Sequence, residues 1–170
     1  MSYLRWTIRS WSLLLGVVLY FSCSCQPKTN CYKNKGELAG VIRFLELIRF
    51  QPRGFCKVEY LIVIPLDGCQ GCVSRMLSFC TENISEKSIT FMLSSSSGKN
   101  IESCIKNHGF SKSIILIDDN NLLHRLSISL ENPIFIRFED SRICTYEVLK
   151  PGNIDSLLLD VESQLEACSL

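Results

Sequence analysis

The feature that most constrains this chain is a short apolar run that leads directly into two closely spaced cysteines. Five consecutive apolar residues, Tyr60 to Ile64, are typical of a strand covered on both faces, and Pro65 and Gly68 end that run. The sequence continues with Cys69-Gln70-Gly71-Cys72. Apolar residues then recur at helical spacing: Val73, Met76, Leu77 and Cys80. This order predicts a buried strand that delivers a Cys-X-X-Cys motif to the N-terminus of a helix.

The predicted junction favours thiol chemistry. Unpaired N–H groups and the positive end of the helix dipole stabilise an anion, and the thiolate is the reactive form of cysteine. Cys69 is therefore the expected nucleophile. Cys72, one helical turn later, is close enough to form a disulfide with Cys69 and so to resolve a mixed disulfide. These two cysteines are the predicted catalytic residues.

The chain from Cys56 to Ala167 resembles the thioredoxin-like superfamily, in particular the membrane-tethered thiol:disulfide oxidoreductases of the bacterial cell envelope. The resemblance rests on the Cys-X-X-Cys at a strand-to-helix junction, on Pro133 at the head of a later strand, and on a closing hairpin plus helix. It implies an α/β fold, a thioredoxin-like three-layer α/β/α sandwich with a central mixed sheet. Many members carry Trp before the first cysteine and Thr after the proline, where this chain has Gly68 and Ile134.

The resemblance also implies a substrate-docking role for Asn132 and Pro133. In the superfamily this proline is cis and abuts the Cys-X-X-Cys, the backbone of its neighbour pairs with an extended substrate, and its ring keeps metal away from the thiols. The alternative is an ordinary trans proline that opens an edge strand, since proline is accepted at the first position of a strand.

The N-terminus is typical of an export signal. Arg5 and Arg9 precede the uncharged stretch 11–21, which has the length of a signal-peptide core and is shorter than a membrane-spanning helix. The following Ser22-Cys23-Ser24-Cys25 resembles the lipobox of bacterial lipoproteins, which implies acylation of Cys23, with Cys25 as a rival. A retained anchor or a plainly cleaved signal remain alternatives.

The predicted organisation is a signal peptide at 1–22, a tether at 23–36 and a thioredoxin-like domain at 37–170 that includes an N-terminal helix at 37–50. The predicted location is the bacterial cell envelope, with a lipid anchor in the membrane and the domain facing the periplasm or the exterior. The first helix could instead lie on a membrane surface, because Arg43, Arg49 and Arg53 flank its apolar stripe.

Further elements follow from apolar periodicity and turn residues. Strands are predicted near 89–93, 113–117, 133–138 and 143–149, and helices near 97–108 and 154–165. Ser97 is the expected N-cap of the first of these helices and Gly109 its stop. Asp118 and Asp119 are interpreted as turn residues rather than as metal ligands.

The net charge limits which partners the protein is expected to have. Eighteen Lys and Arg against 17 Asp and Glu leave a net charge of +1, so nucleic acid is not an expected partner.

Of the ten cysteines, Cys80, Cys104 and Cys144 are assigned to core packing. The odd remainder argues against a disulfide framework, although a pair between Cys25 and Cys31 stays open.

The sequence thus predicts thiol:disulfide exchange on protein thiols and disulfides, without cofactor or metal, and with a further partner that recycles the redox state. The alternative is a non-catalytic or soft-metal-handling lipoprotein, in which the two thiols hold an ion such as Cu(I) with His108 or His124. Asp67 and Glu59 are open candidates for a proton acceptor near the motif. Arg75 could stabilise the Cys69 thiolate or face water.

Overall fold

The computed structural model describes residues 35–54, 56–118, 120–126, 128 and 130–168. All the described residues belong to one compact unit. The predicted signal peptide at 1–22, the lipidation residue Cys23 and the tether as far as residue 34 lie outside the described residues. Within the described part, no helix combines the length and the apolar character needed to cross a membrane.

The described residues form helices and strands that alternate along the chain, except for two consecutive strands before the last helix. The helices are α1 (Lys35–Leu47), α2 (Gln70–Asn83), α3 (Gly98–His108), α4 (Leu122–Arg125) and α5 (Ile154–Cys168). The strands are β1 (Val58–Pro65), β2 (Ile89–Ser94), β3 (Leu116–Ile117), β4 (Ile134–Glu139) and β5 (Arg142–Val148).

The five strands form one sheet in the order β3-β2-β1-β4-β5. Strand β1 pairs in parallel with β2 and antiparallel with β4, so that Ile62 lies between Phe91 and Phe135. Strand β3 is parallel to β2, and β5 is antiparallel to β4. The sheet is therefore mixed, and β1 is its central strand.

Side chains on opposite faces of β1 enter two separate cores. Tyr60, Ile62 and Ile64 pack with buried residues of α2, α3 and α5, whereas Leu61 and Val63 pack with residues of α1 and α4. Each of these five side chains is buried, and full burial of a large apolar side chain contributes about 1.5–3 kcal/mol. Helices cover both faces of the sheet, which confirms the predicted three-layer α/β/α sandwich with a central mixed sheet.

Several predicted boundaries differ from the observed ones; for example, α5 extends to Cys168 rather than to 165. The first helix is α1, which begins two residues before the predicted 37 and ends at Leu47 rather than 50. The predicted strand at 113–117 is shortened to Leu116–Ile117, because the N–H of Ile114 donates to the carbonyl of Ser111 (3.0 Å) and turns the chain there.

The predicted ends of α3 are confirmed. Ser97 is the N-cap residue, although its side chain makes no capping hydrogen bond, and Gly109 is the C-cap in the left-handed region (φ 67°), with its N–H bonded to the carbonyls of Ile105 and Lys106. The predicted hairpin after β4 turns through Asp140 and Ser141, both with positive φ, as a two-residue hairpin loop requires.

Candidate active site

Cys69 and Cys72 lie where the central strand leads into α2. After Pro65 the chain turns, with the N–H of Gly68 bonded to the carbonyl of Pro65 (3.0 Å). Cys69 is the N-cap residue of α2, and its carbonyl accepts the first helical hydrogen bond from Val73 (2.8 Å). The side chain of Cys69 is half-buried, whereas Cys72 is 2% exposed and packs in the core under α2.

The two thiols have opposite electrostatic surroundings. The backbone N–H of Cys72 donates to the Cys69 sulfur, the Cys72 thiol and the Gly71 N–H add to it, and together they hold the pKa of Cys69 below its usual value. Burial raises the pKa of Cys72 to about 11, and its hydrogen bond to Cys69 and the charge there add to the rise. Cys69 is thus the thiol that ionises first, and Cys72 keeps its proton.

The chain just before Pro133 lies directly against the motif. The N–H of Cys69 donates to the carbonyl of Glu131 (2.7 Å). A Cβ at Gly68 would lie 2.6 Å from that same oxygen and 2.9 Å from the carbonyl oxygen of Leu130. Gly68 is therefore required by this close approach of two backbones.

The expected cis conformation of Pro133 is wrong. No peptide bond among the described residues is cis, so the bond from Asn132 to Pro133 is trans, which is also the lower-energy form of an X–Pro bond. The contact with Cys69 is made two residues earlier, by the carbonyl of Glu131. Pro133 itself is buried at the head of β4, where its carbonyl accepts a hydrogen bond from Leu149 (2.8 Å).

A second loop is joined to the motif through Asp67. Its carboxylate accepts hydrogen bonds from the hydroxyl of Ser95 (2.9 and 3.0 Å), from the N–H and hydroxyl of Ser96 (2.6 and 2.9 Å) and from the amide of Asn100 (2.9 Å). Partial burial would raise the pKa of Asp67, but these hydrogen bonds outweigh it and hold the pKa below its usual value. The Asp67 carboxylate thus forms its hydrogen bonds with Ser95, Ser96 and Asn100 and not with a thiol of the motif.

An open cleft of about 790 Å³ borders Cys69. Asn132, one of the predicted docking residues, lines this cleft, whereas Pro133 is not part of its lining. The cleft is lined by Asp67, Gly68, Cys69, His124, Ile128, Leu130, Glu131 and Asn132. Its volume lies within the usual range of ligand clefts, about 300–1,000 Å³.

Of the other candidates, His124 lines the cleft beside Cys69, whereas Arg75, His108 and Glu59 are not part of its lining. Arg75 forms an exposed ion pair with Asp155 (2.9 Å). His108 stacks on Phe110 at the end of α3. Glu59 is buried at the start of β1, where it accepts a hydrogen bond from the N–H of Arg53 (2.6 Å). Within the described part of the chain, no three His, Cys, Asp or Glu side chains form a group that could hold a metal ion.

Asp118 has the structural role predicted for it. Its carboxylate is buried, accepts a hydrogen bond from the Ser94 hydroxyl (3.0 Å) and binds the N–H groups of Leu122 and Leu123 at the start of α4 (2.8 and 3.2 Å).

Two of the three cysteines assigned to packing are confirmed, and one is not. Cys80 and Cys104 are free thiols in the core, and burial raises the pKa of Cys80 to about 12 and that of Cys104 above its usual value. Cys144, by contrast, is disulfide-bonded, as is Cys56. The sequence could not reveal this because cysteine connectivity depends on which residues the fold brings together.

The contact between Gly68 and the chain at 130–131 was not anticipated. Sixty residues separate these partners, and nothing in local periodicity relates them. Gly68 stands directly before the first cysteine, where many thioredoxin-like proteins have Trp. The absence of a side chain at this position is the sequence signal that another part of the chain lies close to it.

Comparison with known proteins gives distant likenesses. No family model and no curated protein matches the sequence. A domain of a possible thiol-disulfide isomerase from Cytophaga hutchinsonii matches with 14% identity and a TM-score of 0.42, over 66% of this chain and 80% of that one. A secreted disulfide oxidoreductase of Mycobacterium tuberculosis matches with 14% identity and a TM-score of 0.41, over 61% and 81%.

A thioredoxin-like protein from Bacteroides caccae matches with 13% identity and a TM-score of 0.36, over 59% of this chain and 40% of that one. Identities and TM-scores at this level support no argument about activity.

Proposed function

We propose that this protein catalyses thiol–disulfide exchange on protein substrates, with Cys69 as the nucleophile and Cys72 as the resolving thiol. One observation carries the proposal. The thiol of Cys69, at the N-terminus of α2, has its pKa lowered by N–H and S–H donors, while burial raises the pKa of its partner Cys72 to about 11. A reactive thiolate beside a protonated second thiol is the arrangement that two-step disulfide exchange needs.

In the reductive direction, the Cys69 thiolate attacks one sulfur of a substrate disulfide. A Cys69–substrate disulfide forms, and the other substrate sulfur leaves as a thiolate. Cys72 then attacks the Cys69 sulfur, which forms the Cys69–Cys72 disulfide and releases the second substrate sulfur; the Cys72 proton remains on a substrate thiol. The substrate gains two electrons and the protein loses two. The oxidative direction is the reverse, and a redox partner restores the starting state.

We place this activity in the bacterial cell envelope, with the domain held at a membrane by a lipid on Cys23. The support is the export-type sequence at 1–22, the lipobox-like stretch around Cys23, and the disulfide-bonded state of Cys56 and Cys144, which is typical of oxidising compartments. Labelling with radioactive palmitate tests the anchor. Cys23→Ala should abolish the label and Cys25→Ala should retain it; equal labelling of both variants would contradict the assignment.

Trapping tests the exchange itself. The full-length Cys72→Ser variant, expressed with its own signal, should accumulate covalent adducts on Cys69 in cell envelopes that a reductant releases, because the resolving step is blocked. Cys69→Ser/Cys72→Ser is the control and should give none. The wild-type protein should also accelerate reduction of insulin by dithiothreitol. Absence of adducts together with absence of insulin reduction would refute the proposal.

A further inference from the structure

The cleft beside Cys69 carries negative charge without a positive partner. Asp67 and Glu131 line it, both are exposed, and neither forms an ion pair with any described residue. The hydrogen bonds to Asp67 come from hydroxyl, amide and N–H donors, all of them neutral, so its charge is kept and not cancelled. Among the described residues that line the cleft there is no lysine or arginine; His124 is the basic residue of the lining, and it forms no ion pair with either carboxylate.

The same cleft has an apolar part. Ile128 is buried and Leu130 half-buried, and both line it on the side of the loop that leads to β4. The backbone of that loop lies against Gly68 and Cys69. A molecule in the cleft therefore meets the Cys69 thiol, an apolar surface and two carboxylates together.

We infer that this cleft selects extended polypeptide segments in which a lysine or arginine lies close to the reacting cysteine. A basic side chain supplies the positive charge that Asp67 and Glu131 lack, and opposite charges across a contact surface give specificity and faster association. An acidic segment would place like charges together and is disfavoured. The inference rests on the proposed function, because it specifies which protein disulfides Cys69 attacks.

The test uses the full-length Cys72→Ser variant and three synthetic peptides. Each peptide carries one cysteine as a mixed disulfide with 2-thiopyridine, flanked by lysine, by glutamine or by glutamate. Attack by the Cys69 thiolate forms the Cys69–peptide disulfide and releases pyridine-2-thiolate, whose absorbance reports the rate. Mass spectrometry of the product places the adduct, and Cys69→Ser/Cys72→Ser gives the background.

We expect the lysine peptide to react roughly threefold faster than the glutamine peptide, and the glutamate peptide to be slower by a similar factor, the size of an exposed ion-pair effect. The ratio should fall towards unity in 1 M salt, where the Debye length is about 3 Å. Adding Glu131→Gln should lower the lysine-to-glutamate ratio. Glu162→Gln, a matched change on the exposed face of α5 away from the cleft, should leave that ratio unchanged.

Dithiodipyridine, a small uncharged disulfide, separates the two proposals. Fast reaction of Cys69 with dithiodipyridine but equal rates for the three peptides would overturn the charge preference and leave the exchange activity standing. A preference that Glu131→Gln does not reduce would overturn the role of the cleft. Failure of Cys69 to react even with dithiodipyridine would overturn the proposed function and this inference with it.

Discussion

Cys69 and Cys72 belong to one motif, yet their sulfurs differ in what surrounds them. Cys69 is at the end of α2 that presents N–H groups, and Cys72 is inside the first turn against the core. Hydrogen-bond donors favour the thiolate, whereas burial in apolar surroundings favours the thiol. The two thiols therefore differ in pKa because Cys69 lies at the N-cap of α2 and Cys72 lies three residues later, inside the first turn.

The pH dependence of alkylation tests this difference. Because the pKa of Cys69 is below its usual value, its reaction with iodoacetamide should rise with pH at a midpoint below the value of about 8.5 for free cysteine. Cys72 should stay unmodified over that range, since its pKa is raised to about 11. The rate is followed by mass spectrometry of tryptic peptides.

Cys72→Ala provides the matched comparison. It removes the S–H donor and keeps the backbone N–H groups of residues 71 and 72, so the Cys69 midpoint should move up but remain below that of free cysteine. A wild-type midpoint at or above the free value would contradict the electrostatic account.

Gly68 and Gly71 make a second pair of residues with different surroundings. Gly68→Ala places a Cβ at 2.6 Å from a backbone oxygen, and backbone cannot yield as a flexible side chain does. We expect a loss of about 1–3 kcal/mol in the free energy of unfolding, the usual cost of overpacking. Urea denaturation measures it.

Gly71→Ala is the control, because nothing lies within 4 Å of its Cβ position and alanine favours helix. It should be neutral or stabilising. Equal effects of the two substitutions would contradict the proposed contact between Gly68 and the chain at 130–131.

At the scale of elements, Asp67 joins the loop before α2 to the loop before α3. Its partners Ser95 and Ser96 lie in the serine-rich loop, for which the sequence predicts only a loop and a helix cap, and its partner Asn100 lies in the first turn of α3. The cap at Ser97 was predicted correctly from local sequence. The hydrogen bonds to Asp67 were not, because they join residues about thirty positions apart.

Asp67→Ala should therefore lower the free energy of unfolding by about 1–2 kcal/mol at pH 7, because hydrogen bonds to a carboxylate are lost. The pKa of Asp67 is lowered in the folded protein, so its contribution is present above the unfolded pKa of about 3.9 and is lost as the pH falls through the folded value. The difference between wild type and variant should accordingly shrink in acid.

Urea denaturation at a series of pH values measures that difference. Asp155→Ala removes a carboxylate of similar exposure that holds a single ion pair with Arg75, and it should cost less than about 1 kcal/mol. If both substitutions cost the same, the Asp67 hydrogen bonds add nothing to stability.

The elements were predictable to different degrees. Strand β1 was evident from five consecutive apolar residues, and α5 from an apolar stripe that begins at Ile154. The stretch 113–117 is equally apolar, yet it pairs only at Leu116 and Ile117, at the edge of the sheet beside β2. Ile114 in this stretch is even 43% exposed. An apolar run therefore favours a strand, but which of its residues pair and become buried depends on the neighbouring strand, which the run does not specify.

At the scale of the whole molecule, the sheet with helices on both faces follows from the alternation along β1 and the order of the elements. The disulfide bonds of Cys56 and Cys144 do not follow from that pattern. Cys144 has the spacing of an inward-facing strand residue, and counting ten cysteines could not show that it and Cys56 are disulfide-bonded. Cys56 lies two residues before β1, and Cys144 lies within β5, at one edge of the sheet.

Cys144→Ser should therefore destabilise the protein under oxidising conditions by about 2–4 kcal/mol, the typical contribution of a disulfide. In dithiothreitol, wild type and variant should unfold at nearly the same urea concentration, because the bond is then absent from both. Cys104→Ser is the comparison: it replaces a free core thiol, so its effect should be the same with and without dithiothreitol. A Cys144→Ser effect that dithiothreitol leaves unchanged would mean that this residue stabilises the fold by packing, as its spacing in the sequence suggested, rather than by its disulfide.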